Sequence, residues 1–258
     1  MKLSCVLTAC NANPLYMDFI PIFIRAWKKL YPGVDVKIVL VADVIPSEFS
    51  TYAENILLFP PIPGVHDAYV SQTIRLLYPG LLSYDGAVLI TDMDMLPMNS
   101  TYYSAPLTSL ADDSSVHFRN GVMHWRGMNQ YAMCYNAAHP SVWREITGIS
   151  TQDEMRAWIV SNYCRGYDGN SDGFGWYSDQ VVLYAMLTRW SKKDSQLVCL
   201  KDSEIGYKRL DRIYNHNMDE IIPLIQSGHF SDYHCFRPYK EHKEFNDKVV
   251  DNLPTSTS

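Results

Sequence analysis

Two carboxylates one residue apart, Asp92 and Asp94, close the apolar segment 86–97, GAVLITDMDMLP. Like charges that near each other repel, and hard oxygen donors favour Mn²⁺ or Mg²⁺, so a divalent cation is the natural group to hold between them. A cation bound by only one or two carboxylates usually completes its shell with water and substrate phosphate. The motif therefore predicts a metal–diphosphate site, with Met93 between the two acids.

The element that must position this pair is a strand. The apolar run starts after the turn signal Tyr84-Asp85-Gly86 and stops at Pro97, as expected for a strand of a parallel sheet buried on both faces. In open α/β sheets ligands bind in the crevice outside the carboxyl ends of the strands. A period of two along the strand would point Asp92 and Asp94 to the same side.

The surrounding chain supplies the rest of such a fold. Leu3 to Thr8 reads as the first strand, followed by a turn of small residues, 9–12. Asn13 caps a helix with Pro14 at its first position, and Leu15, Phe19, Ile22, Phe23, Ala26, Trp27 and Leu30 form one apolar stripe along it. Val36 to Ala42 is the second strand, ending at Asp43, and Ile56 to Phe59 the third. A helix is predicted from Asp67 to about Leu82. Strand, helix, strand, strand, helix, strand is an α/β half of the doubly wound kind, which commonly takes a nucleotide.

Beyond Pro97 the pattern changes. Helices are expected over 100–111, after His139-Pro140, after the capping box Thr151 to Glu154, from Ser178 to Trp190, over Met218 to Gln226 and in the charged tail. Strands are expected over Gln130 to Tyr135 and Leu197 to Leu200. The glycine-rich segment Tyr167 to Gly175 carries Asp168, Asn170 and Asp172 at alternate positions, but Asp179 stands where an EF-hand loop needs glutamate, so a flexible lid is preferred over a calcium site. No linker composition divides the chain, which reads as one domain in two halves, residues 1–97 and residues 98–258 with the tail.

Composition sets limits. The 258 residues carry a formal net charge of -6, against a nucleic-acid partner, and 47% are hydrophobic, enough for a sizeable core. The six cysteines show no C-x-x-C pairing and read as free buried thiols of a reducing compartment. No apolar run is long enough for a membrane span, and a cytoplasmic location is the default expectation.

The helix segment QTIRLLYP (72–79) followed by AVLITDMD (87–94) resembles the GT-A fold glycosyltransferases, above all family 8 and its relatives. Asp179-Gln180 at a helix start resembles that family's Asp-Gln signature, and His234 followed by Arg237-Pro238-Tyr239 resembles its His…Lys-Pro-Trp ending, with Arg for Lys and Tyr for Trp. Compact soluble glycosyltransferases of large DNA viruses have a similar form, in which case the location would be the host cytoplasm.

The resemblance implies an α/β fold with a Rossmann-like mixed central sheet flanked by helices. It also implies transfer of a sugar from a nucleoside-diphosphate sugar, by the family's habit a UDP-sugar, to a glycan or glycoprotein acceptor. Asp92, Asp94 and His234 would hold the metal, and Arg75 and Arg237 would bind phosphate or sugar. Thr8, Ala9 and Asn11 at the first turn would hold the nucleoside, with Asp43 a lesser candidate for base or ribose. Asn136 would touch the sugar, and Trp125, Trp176 and Tyr177 would stack on the acceptor. Asp179 is the candidate base in an inverting enzyme; in a retaining one it would line the donor sugar with Gln180, and the residues alone leave both open.

Two other readings of the same residues stand beside this one. A haloacid-dehalogenase phosphatase also carries D-x-D after an apolar strand, although on its first strand and with Thr or Val where Leu96 stands here. A sugar-nucleotide-binding protein without catalysis is the second.

Overall fold

A computed structural model describes residues 1–191 and 196–254. Seven strands form the main sheet: β1 (Leu3–Asn11), β2 (Asp35–Val41), β3 (Ile56–Phe59), β4 (Ala87–Ile90), β6 (Ser114–His117), β9 (Asn136–Ala138) and β10 (Gln196–Cys199). Their order is β10-β6-β9-β4-β1-β2-β3. β1 pairs in parallel with both β2 and β4, and β9 runs antiparallel between β4 and β6, so the sheet is mixed.

The almost unbroken apolar runs of β1, β2 and β4 conceal an alternation. Val6, Cys10, Ile38, Leu40 and Leu89 enter one core, while Cys5, Leu7, Val39, Val88 and Ile90 enter the other. Both faces are therefore covered. The first core is shared with α2 (Ile20–Leu30) and α9 (Lys243–Asp251); the second with α3 (Asp67–Leu77), α4 (Pro140–Thr147), α5 (Gln152–Ser161) and α6 (Ser178–Ser191). Gly86 lets β4 start close against β1: a Cβ there would stand 2.3 Å from the Lys2 carbonyl oxygen.

Two smaller sheets complete the second half. β5 (Met95–Pro97) joins β11 (Arg209–Asp211) and β12 (Asp232–His234) in the order β11-β12-β5, while β7 (Met123–Trp125) and β8 (Met128–Gln130) form a hairpin. The short helices α1 (Pro14–Met17) and α7 (Asp202–Ile205), with α8 (Met218–Gln226), complete the described α-helices, and a 3-10 helix, Ser47–Asn55, leads into β3.

Several expectations are corrected here. The helix capped by Asn13 breaks after Met17, because Pro21 can neither donate to the Met17 carbonyl nor avoid it; the helix restarts at Ile20 with the proline in its first turn. The next helix ends at Leu77, and Pro79 carries it on only as a 3-10 turn to Leu81. The expected helix over 100–111 is reduced to the 3-10 turn Ala105–Leu107. The expected strand over 130–135 is split between the end of β8 and another 3-10 turn, Met133–Tyr135, and the true sheet strand β9 follows it. The capping box at Thr151 is present on both sides, and α6 starts at Ser178.

Of the six thiols, Cys5, Cys10, Cys134 and Cys235 are buried, but Cys164 is only partly so and Cys199 is exposed. Burial pushes Cys5 and Cys10 up to about 12. No described helix is long and apolar enough to cross a membrane.

Candidate functional site

After β1 the chain adds β2 and β3 on one side, then returns to place β4 on the other side of β1. The strand order reverses between β1 and β4, and at such a reversal loops diverge and leave a crevice at the carboxyl ends. A cavity of about 270 Å³ lies there, lined by Ala9, Cys10 and Asn11 from the end of β1 and by Asp92, Met93 and Asp94 beyond β4. The two acids are not on the strand itself. β4 ends at Ile90, and Asp92 to Met95 form a turn closed by the Met95 N–H on the Asp92 carbonyl, 3.1 Å. The turn sends the two carboxylates to different partners.

Asp94 faces the small sheet. β5 pairs antiparallel with β12, setting Met95 opposite His234, and the Cys235 N–H donates to the Asp94 carbonyl at 2.9 Å. On the side chain, Asp94 Oδ2 accepts from Arg212 Nη1 at 2.6 Å, with Arg237 Nε at 3.4 Å and His234 Nε2 at 3.6 Å. Burial would raise this carboxyl, but the His234 contact and the two guanidinium charges override it and hold it well below the usual range. β11 pairs in parallel with β12, which sets Asp211 beside His234, and Asp211 Oδ1 lies 3.2 Å from His234 Nδ1. His234 thus stands between two carboxylates, its Nδ1 on Asp211 and its Nε2 toward Asp94, and a carboxylate behind one ring nitrogen is the arrangement that orients metal-binding histidines.

Asp92 faces α3 and α6 instead. Arg75, in the last turn of α3, donates Nη1 to Asp92 and Nη2 to Asp179 Oδ2, the second contact at 2.9 Å. Asp179 sits in the first turn of α6, only 2% exposed, and its Oδ1 accepts the Gln180 N–H at 2.8 Å. Burial raises the Asp179 carboxyl above its usual range, with Arg75 opposing the rise. The same two carboxylates drive the Arg75 guanidinium upward despite its burial.

Ala9, Asn11, Arg75, Asp92, Met93, Asp94, Asp179, Gln180, His234 and Arg237 thus share one cavity, and Trp176 and Tyr177 line it from the segment before α6. Four of the expected residues, Asp43, Thr8, Asn136 and Trp125, lie outside its lining. Asp43 is exposed beyond the end of β2, on the far side of β1 from the reversal. Thr8 is wholly buried, its side chain belonging by alternation to the face of Val6 and Cys10. Asn136 is also buried: it pairs with His117 Nδ1 at 2.9 Å and donates to the carbonyls of Ala132 and Met133, so it pins the 3-10 turn before β9. Trp125 lies on the exposed hairpin with its ring centroid 6.3 Å from that of Tyr177, outside the cavity lining.

The segment 167–175 is built as a series of local turns. Asp168 Oδ1 is taken by the Asn170 N–H at 2.9 Å, and Tyr177 OH binds Asp172.

Arg212, Asp211 and Tyr16 are additions to the expected set. Tyr16 OH accepts from Arg237 Nη1 at 2.6 Å, tying the C-terminal motif to α1. Arg212 and Asp211 follow from β11, a three-residue strand defined by its partner β12 more than by any pattern of its own.

Asp94 and His234 at one end of the cavity and Asp92 toward the other are residue types suited to Mn²⁺ and Mg²⁺. Among the described residues, no three His, Cys, Asp or Glu side chains are gathered as ligands around one point. Guanidinium groups hold the two acids in place: Arg212 and Arg237 on Asp94, Arg75 on Asp92. The residue types fit a divalent cation, and the carboxylates are already balanced by positive charge.

No family model and no curated protein matches the sequence. Solved structures do. The galactosyltransferase LgtC, in complex with donor and acceptor sugar analogues, aligns with a TM-score of 0.52 at 13% identity over 98% of both chains. The bifunctional glycosyltransferase WbbM aligns with a TM-score of 0.51 at 11% identity, over 98% of this chain and 50% of that one. The mixed sheet and its flanking helices are therefore those of the GT-A fold of glycosyltransferases.

Proposed function

We propose that the protein is a metal-dependent glycosyltransferase that moves a hexosyl or deoxyhexosyl group from a UDP-sugar to a hydroxyl of a glycan or glycoprotein acceptor. The observation that carries this reading is the convergence of Asp94, His234, Arg212 and Arg237 in the crevice between the ends of β1 and β4. A crevice of this kind takes a nucleotide, and this collection of charges suits its diphosphate. Asp92, Asp94 and His234 would hold Mn²⁺ or Mg²⁺, which supplies positive charge against the leaving diphosphate.

The chain's own residues then divide the work. Ala9 and Asn11 take the nucleoside at the end of β1. Arg237, tied to Tyr16, faces the phosphates. Arg75 joins Asp92 to Asp179 and fixes the two carboxylates relative to each other, with Gln180 beside them on the sugar side. During transfer the bond from the anomeric carbon to the diphosphate oxygen breaks and one to the acceptor oxygen forms. Asp179 takes the acceptor's proton; its burial raises its affinity for that proton, which suits a general base. Trp176 and Tyr177, with Trp125 next to them on the hairpin, offer faces for the acceptor sugar.

Nothing in the site favours a phosphatase: the two acids follow the fourth strand in chain order and not the first. The test is a thermal-shift and calorimetric panel of nucleoside diphosphates with and without Mn²⁺, followed by transfer assays with the nucleotide that binds. UDP is expected to raise the melting temperature only when the metal is present; a ligand at 100 times its dissociation constant stabilises by about 2.7 kcal/mol. Binding of no nucleoside diphosphate under either condition would remove the proposal.

A further inference from the structure

Within the reading just given, on which this inference rests, the geometry points to Arg212 as an exchangeable counter-ion: it pairs with Asp94, and on binding of a divalent cation it would release that carboxylate and turn to the diphosphate.

The charge count leads to this. The cavity is lined by Arg75, Arg212 and Arg237 against Asp92, Asp94 and Asp179, so its formal charges cancel with His234 neutral. A sugar diphosphate linked at both ends brings two negative charges, and a divalent cation brings two positive ones. Either alone would leave a partly buried site with two uncompensated charges, an expensive state, whereas both together keep it balanced. Balance is not enough, however. Asp94 is 7% exposed on its side chain and its Oδ2 is already occupied by Arg212 at 2.6 Å, so a cation reaching that oxygen must displace a guanidinium.

Arg212 is the cation placed to move. Arg75 serves two carboxylates at once and is 11% exposed, and Arg237 is also held by the Tyr16 hydroxyl. Among the described residues Arg212 has Asp94 as its one acidic partner, and its other side-chain hydrogen bond is to the Cys235 carbonyl at 2.9 Å. Its backbone N–H is fixed to the His234 carbonyl at 3.2 Å, while the next two residues, Ile213 and Tyr214, are exposed. Release therefore needs a rotation of one side chain and leaves the core packed. A freed guanidinium beside a diphosphate makes planar, paired hydrogen bonds to its oxygens.

The exchange predicts opposite effects of one substitution. Mn²⁺ binding without nucleotide is measured by electron paramagnetic resonance, and UDP binding at saturating Mn²⁺ by calorimetry, for the wild-type chain, R212Q and R212K, with melting temperatures recorded for each. R212Q is expected to bind Mn²⁺ alone about tenfold more tightly or better and UDP with metal about tenfold more weakly. R212K keeps the charge without the planar fork and should fall between the two in both measurements. Unchanged Mn²⁺ affinity in R212Q, or in R212K should R212Q fail to fold, overturns the exchange. So does UDP binding that ignores Mn²⁺ in the wild type and is lost in R212Q, which would make Arg212 the permanent cation. Tighter Mn²⁺ binding by R212Q in a chain that binds no nucleoside diphosphate would leave the exchange at Asp94 standing and remove the glycosyltransferase reading.

Discussion

At one end of the cavity three side chains converge on a single carboxylate, Asp94; at the other a single guanidinium, Arg75, serves two, Asp92 and Asp179. Both acids are buried, yet they shift in opposite directions: His234 and two guanidinium groups hold Asp94 down, whereas burial pushes Asp179 up against the single guanidinium that opposes it. In the proposed enzyme such a divergence would separate roles, the first acid staying charged to hold a cation and the second exchanging a proton. The two ends also differ in how they are made. The Asp94 end is built by strand pairing, the Asp179 end by two helices.

The largest effect should come from neutralising the first end. D94N removes the charge on which Arg212, Arg237 and His234 converge, and kcat/KM is expected to fall by about 10³-fold or more with loss of Mn²⁺ binding. Retained Mn²⁺ affinity in D94N would erase the distinction between the ends.

D179N should cost about 10²- to 10³-fold in kcat with Mn²⁺ and UDP affinity kept. The pH profile sharpens the same point. Asp179, raised above its ordinary 3.8, should set the acid limb of kcat/KM, and the residual activity of D179N should lack that limb. Asp94, depressed, keeps its stabilising contribution above its ordinary 3.8 and loses it only as the pH falls below that value, so acid unfolding curves should report it and activity profiles should not.

A smaller effect is expected from D211N, which never touches the cation but orients His234. Mn²⁺ affinity should fall by about 10- to 100-fold, with the melting temperature of the metal-free protein little changed. The smallest belongs to the acceptor side: W125A should raise the acceptor KM by about tenfold or less, leaving donor binding untouched, as measured by initial rates against acceptor concentration.

How much of this was visible in the sequence follows the same division. β1, β2 and β4 are legible because strands covered on both faces must be apolar throughout, and the acids after such a run fall at a crevice. Arg75 and Asp179 are legible because they sit on regular helices. β5, β11 and β12 have three residues each, too few for any periodicity, and only their mutual pairing defines them. Arg212 therefore carries no local signal. The hairpin was hidden for another reason: its turn places Arg126 and Gly127 both at positive φ, and Arg is not a residue that announces such a turn. Asp43 shows the opposite failure, a strand end that looks like a site but belongs to the wrong side of the reversal. Asn136 shows how a buried amide can serve the fold, holding two backbone carbonyls and the His117 ring.

The pairing of β5 with β12 has one more implication, for the order of events as the polypeptide leaves the ribosome. Residues 1–97 can assemble their central strands early, yet Asp94 waits for partners that emerge more than a hundred residues later. Until the segment around Cys235 docks, Asp94 has neither Arg212 and Arg237 nor His234, and under the proposed function nascent chains should be unable to capture nucleotide.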